Sequence, residues 1–425
     1  MLKLFCPSSA LNLRKTTIGR GLMGMALLAA STMAFAQAGQ LDTTFANKGI
    51  FSDNFNGAMG SASAVALQSD GKIVVGGQTG AINTTVGVGT ILRLNTNGSI
   101  DTGFGSGGSV SIKFGDFNIF VSDVAIQSDG KILVAGGSQI GGDDLVRLNS
   151  DGSFDDSFGS SGFVTLNMLP GLFVLQSDGK IVLLGQTVGN ANTPGTSEMQ
   201  RFNSNGTLDT TFGKAGTAAL VSGGSAIALQ SNGKFLVTSS AAFAAANVAR
   251  YNSNGSLDTS FGISGQTAVL SGPGIALQSD GRIITAGSIT TKTAVAGNTA
   301  GFGLMRLNSN GTLDSNFGSR GGVVSVFPGD PTATAFPLLI QSNADIVAGG
   351  SAGNTAAVPT TSFALARYLS TGQLDTTFGT GGLVTTSFGS GTARIAALAL
   401  QSDGKIVAAG TDGSGDLVVA RYLGQ

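Results

Sequence analysis

Short apolar runs alternate with tight polar turns along nearly the whole chain, and no stretch shows helical periodicity. In residues 66–75, Ala-Leu-Gln-Ser-Asp-Gly-Lys-Ile-Val-Val places apolar pairs and triplets on either side of Asp70 and Gly71. Asp-Gly between two apolar runs is the strongest short hairpin signal, because glycine reaches the left-handed conformations such a turn needs. Six further copies begin at Gln127, Gln176, Gln230, Gln278, Gln341 and Gln401. The copy at Gln341 departs from the rest. Ala344 replaces its glycine and Asp345 its lysine, so its turn is expected to be strained or of another type.

A second hairpin alternates with the first, and Arg306-Leu-Asn-Ser-Asn-Gly-Thr-Leu-Asp314-Ser-Asn-Phe317-Gly318 shows it whole. Arg and Asp stand eight residues apart in every complete copy. The pairs are Arg93 and Asp101, Arg147 and Asp155, Arg201 and Asp209, Arg250 and Asp258, Arg306 and Asp314, and Arg367 and Asp375. A three-residue loop ending in Gly lies midway, so folding there sets each Arg opposite its Asp. Leu94 then faces Ile100, Leu148 faces Phe154 and Tyr251 faces Leu257, as cross-strand pairs. Asn-x-Asn-Gly-x-x-Asp also resembles part of a calcium loop. Arg sits where the first acidic ligand would be, which favours a structural Arg–Asp pair. The Asn-Gly-Ser/Thr triplets match a glycosylation acceptor too, although turn chemistry explains them without sugar.

A third element, Gly-x-Val-x-x-x-Phe, follows, as in residues 108–114 and 382–388. Each period of roughly 48 to 63 residues thus holds four short strands, the spacing of a propeller blade or a solenoid coil. Seven repeats of four antiparallel strands predict an all-β fold, a seven-bladed β-propeller, with a linear β-solenoid as the alternative. The channel is expected to be uncharged. Phe104, Phe212 and Phe378, from the Leu-Asp-x-x-Phe segments, are expected to be buried between blades.

The combination of R-L-N-S-N-G-S-L-D-T-S-F-G with A-L-Q-S-D-G-K-I-V-V-A-G resembles the delta-60 repeat family, over essentially all of residues 41–425. The resemblance implies a bacterial secreted repeat protein that forms a propeller, in a family with no established activity. The layout is also similar to NHL-type propellers. That likeness implies that Ala-x-Ala-Leu-Gln lines the central channel and Gly-x-Val is the outermost strand.

The last copy stops four residues after Arg421, before it reaches an Asp. Gly39, Leu41, Asp42 and Phe45 stand in the spacing that a copy needs after its turn. The two ends are therefore expected to rebuild one hairpin, Arg421 pairing with Asp42 and Tyr422 packing on Leu41. The strand near Ile50 would complete the last blade and close the ring, removing two exposed edges.

Residues 1–36 read differently. Lys3, Arg14, Lys15 and Arg20 precede a short apolar stretch, and Ala34-Phe35-Ala36 offers a small-x-small cleavage site. This is the pattern of a secretory signal peptide, too short in its apolar part for a membrane anchor. The expected organisation is a signal over 1–36 and one propeller over 37–425, exported to the periplasm or beyond the cell. The single cysteine, Cys6, lies in the signal, so no disulfide or reactive thiol is expected in the remainder.

Only 11% of residues are charged, and Gly is abundant at 67. After residue 36 the balance is acidic by five, which argues against nucleic acid or an anionic membrane as partner. No further segment is apolar enough to span a membrane, and a monomer is expected. Without His or Cys, triads and His-ligated metals are excluded. No catalytic residue, cofactor or metal is therefore assigned.

Strand alternation puts both sets of polar turns on one face of the ring. The other face carries the variable loops 76–90, 136–144, 185–199, 287–301 and 349–362, joined by 51–63 and 327–334. Repetition on one face and variety on the other fits a scaffold that binds a protein or glycan, though unconstrained loops drift in the same way. A carboxylate pair for glycan hydrolysis or lysis is the alternative. Its candidates are Asp53, Asp116, Asp123, Asp143, Asp144, Glu198, Asp330, Asp412 and Asp416. Asp123 replaces a small or apolar residue on an inner strand, as a channel acid or, by default, a solvated residue near the rim. Asp412-Gly-Ser-Gly-Asp416 has minimal calcium-loop spacing, with a flexible polar turn as the default.

Overall fold

A computed structural model describes residues 37–425 apart from 56–59, 81–86, 115–118, 139–140, 190–194, 240–245, 270–273, 294–296 and 355–359. Residues 1–36, the expected signal segment, and Asp116 therefore lie outside the described residues. The chain is all-β: seven sheets, each of four antiparallel strands, arranged as the blades of one ring. Blades 1 to 6 span residues 60–112, 119–165, 168–219, 226–269, 274–325 and 332–386 in order. Blade 7 takes residues 394–422 and its outermost strand, Ile50–Asp53, from the other end of the chain.

The continuous apolar runs are explained by the layering. Second strands such as Ile73–Thr79 and Ile132–Ser138 are buried on both faces, because each sheet is covered by the sheets before and after it. A strand covered on both sides needs no polar alternation. Inner strands such as Gly60–Leu67 alternate, since one set of side chains packs on a neighbour and the other borders the axis. Five of the seven inner strands carry a register shift, as between Val121 and Asp123. Glycines let large rings in between blades. A Cβ on Gly89 or Gly136 would stand 2.5 or 2.6 Å from the buried Phe114 ring.

Ring closure follows the register Ile50↔Ala420, Phe51↔Val419, Ser52↔Val418 and Asp53↔Leu417, with a bridge from Leu41 to Tyr422. One expected loop is largely strand. Residues 287–293 and 297–301 continue the blade 5 ladder, Ile283–Thr293 pairing with Gly297–Leu307 out to Thr293↔Gly297. Backbone hydrogen bonds propagate there through Gly, Ala and Thr, whose side chains give no alternation to read.

Candidate functional site

On the repeated face every blade is clamped to the next. Arg93, Arg147, Arg201, Arg250, Arg306, Arg367 and Arg421 each donate from Nε to Oδ2 of the repeat Asp at 2.6 to 2.9 Å, Asp42 serving Arg421. Each Nη1 crosses to a carbonyl in the following blade, from Arg93 to Ser150 and finally from Arg421 to Thr96 of blade 1. The guanidinium carbon lies 4.4 to 4.7 Å over the ring of a fully buried Phe, such as Phe104 or Phe378. The other carboxylate oxygen caps a turn, as Asp209 Oδ1 does for Thr211. Asn97, Asn205, Asn254 and Asn310 of the loops, and Asp151 in blade 2, are occupied likewise, Asn205 accepting from Thr207. In this geometry the loop is closed by its own chain.

A second cation was not read from the sequence. The Lys of Asp-Gly-Lys reaches the same Oδ2, from Lys72 to Asp101 at 2.9 Å through Lys405 to Asp42 at 3.5 Å, with Arg282 on Asp314. The recurrence of Lys or Arg four residues after six of the seven Gln was the available signal. Burial pushes Asp155 and Asp258 upward, yet their Lys, hydroxyl, backbone and Arg partners together hold both well below the usual carboxylate range. At Asp209 the Thr211 hydroxyl is the largest influence, and at Asp101 it is Lys72; both groups are lowered. Asp42, Asp314 and Asp375 are lowered as well. A depressed folded value means stability that is present above the unfolded carboxylate range and lost as pH falls through the folded one. Thermal melts from pH 5 to pH 2 should show a steep, cooperative loss of stability. A flat profile would contradict the clamps.

Blade 6 is the exception. Ala344 keeps the turn of the other copies, donating to Gln341 at 2.9 Å, but at φ 69°, a left-handed conformation unfavourable for alanine. Buried Asp345 takes the lysine's place. Burial raises its carboxyl first; Asn343 and Arg367 oppose this, and Asp375 adds to it. Asp345→Lys with Ala344→Gly should restore the repeat. It is expected to stabilise the protein by about 1 kcal/mol or more at pH 7, read from the urea midpoint. A lower midpoint would contradict this account of the turn.

The opposite face holds the variable connections, and the inner strands surround an axial channel. Counting four back from each Gln gives Ala64, Asp123, Leu172, Ala226, Gly274, Pro337 and Ala397, and all seven border one axial cavity of about 310 Å³. Asp123 is therefore a channel residue and not a solvated rim residue, and the channel is not uncharged. The register shift beside Ser122 turns it inward. Its Oδ1 accepts from Val124 N at 2.9 Å, and its Oδ2 from Phe173 N of blade 3 at 3.0 Å. Protein surrounds the carboxyl, although water in the channel still reaches part of the residue. That desolvation raises its pKa to about 7, against the two backbone hydrogen bonds.

The remaining acids are spread over blades 2, 3 and 7 and the connection between blades 5 and 6. Asp143 and Asp144 are in blade 2, and burial raises both. Asp143 packs on Gly137, and Asp144 accepts from Thr165 Oγ1 at 2.9 Å. Glu198 in blade 3 accepts from Gln200 at 2.8 Å. Asp412 caps its own turn through Ser414 and Asp416, and Asp53 caps the turn at Phe55. Burial raises Asp330. Among the described residues no group of three or more His, Cys, Asp or Glu is placed to hold a metal, and no helix is long and apolar enough to cross a membrane.

Fold and clamps together define a seven-bladed β-propeller closed by its N-terminal strand. The chain belongs to the family described as "Domain of unknown function (DUF5122) beta-propeller", which matches residues 68–104, 127–158, 176–212, 230–261, 278–317, 341–378 and 401–424. No curated protein matches the chain in sequence. Among solved structures it is similar to YCF48 from Cyanidioschyzon merolae, at 12% identity over 88% of this chain and 98% of that one, TM-score 0.49. The polysaccharide lyase Uly1 is similar at 10% identity over 85% and 90%, TM-score 0.47. A gluconolactonase from Xanthomonas campestris is similar at 13% identity over 68% and 83%, TM-score 0.38. Likenesses this distant carry nothing about chemistry.

Proposed function

We propose that this propeller of delta-60-like repeats is an exported, monomeric, non-catalytic scaffold that binds a protein or glycan through its variable-loop face, with residues 1–36 as its secretory signal. One observation carries the reading: the repeat Arg and Asp side chains of one face are engaged in seven inter-blade clamps, while the variable connections lie on the other. Glycan hydrolysis by paired carboxyls needs two acids about 5 to 9.5 Å apart across a cleft. Asp123 is the one acid among the described channel-lining residues, and Asp144, Glu198 and Asp412 are engaged within their own blades. The test is a glycan and protein array probed with the whole secreted protein, with Asp123→Asn in parallel. Stable capture of a ligand without turnover is the expected result. Turnover of a glycan that the substitution abolishes would end the scaffold reading.

A further inference from the structure

The axial cavity contains a charge with no counter-charge. Six of the seven positions in its ring are apolar, and the seventh is Asp123. Among the described residues no ion pair includes Asp123, and no other lining residue is titratable. Two backbone N–H groups from adjacent blades fix the carboxyl in place. The wall around it is apolar, with Leu172, Ile275, Leu398 and Phe336, a residue 37% exposed.

A fixed carboxylate in an apolar, partly aromatic chamber favours a cation that carries its own apolar surface. The charge neutralises the carboxylate without a bulk hydration shell, the alkyl part covers the wall, and an aromatic face adds cation–π attraction. We propose that the channel is a binding site for a small organic ammonium ion, with Asp123 as its counter-ion. The inference rests on the scaffold reading, since it names a ligand class that a non-catalytic propeller would hold in its channel. It has a built-in pH dependence. Asp123 must be ionised to bind, and its pKa of about 7 puts the switch near neutrality.

The experiment is calorimetric titration of the whole propeller with n-butylammonium at pH 8 and pH 6, with n-butanol and potassium as comparison probes. Binding of n-butylammonium at pH 8 is expected, about tenfold weaker at pH 6, with no heat from n-butanol or potassium. Asp123→Asn should abolish the binding, and the pH series on the unsubstituted protein decides if that variant does not fold. No binding at pH 8, equal affinity at both pH values, equal binding of n-butanol or potassium, or unchanged affinity in Asp123→Asn would each overturn the proposal. An array ligand captured by a protein that ignores n-butylammonium overturns this inference alone. Ammonium binding beside a blank array supports it and overturns the wider reading of the variable face.

Discussion

Removing residues 37–53 should convert a cooperative melt into a broad, early one. The segment supplies the outermost strand of blade 7, the carboxylate for Arg421 and the Phe45 ring beneath that guanidinium. It also touches both neighbouring blades. Ala46 donates to Asn97 of blade 1, and Ala38 accepts from Gly379 of blade 6. Arg421 is buried, and a buried charge stripped of its partner costs about 3 to 5 kcal/mol. Loss of the fully buried Phe45 costs about as much again. The two together take up most of the roughly 5 to 15 kcal/mol by which a domain is stable. Differential scanning calorimetry checks this; a truncated protein that melts like the intact one would show that the ring closes by other means.

The second large effect is expected at the buried Phe of a clamp. Phe212 is fully buried, stands edge-on to Phe235 at 6.0 Å and carries the Arg201 guanidinium at 4.7 Å. It also packs against Gly255 of the next blade, a residue at φ +88° whose added Cβ would meet the ring at 3.0 Å. Phe212→Ala should therefore cost about 3 to 5 kcal/mol in denaturant unfolding, by loss of transfer energy and a residual cavity. Phe212→Leu, which refills most of the volume, should cost less than half of that. Equal costs for the two would place the energy in the cation–π contact instead of the packing.

The chain announces its architecture because its signals recur. The eight-residue spacing of Arg and Asp was enough to set them opposite each other, even for Arg421 and Asp42 at the two ends. The partner of each Nη1 was not legible. The Ser150 carbonyl that receives Arg93 is 57 residues further on, and no local pattern marks it. The bond from Lys72 to Asp101 was not legible either, because Asp70 and Gly71 already explain the hairpin and leave its lysine without an evident partner. Asp123 was harder still. A register shift breaks the alternation by which a strand's facing is read, so rim and channel were indistinguishable from sequence. The acids of the variable face could be named one by one but not placed relative to one another, since nothing repeats there.

The central claim is a division of labour between the two faces. It is tested most directly by measuring one captured array ligand against two variants. In one, the connections between the second and third strands of blades 1, 3 and 6 are shortened. In the other, the exposed turn residues Ser150, Ser204 and Ser309 are replaced by Lys. Surface plasmon resonance should show binding lost in the first variant and within twofold of the unsubstituted protein in the second. Binding retained in the first and lost in the second would contradict it.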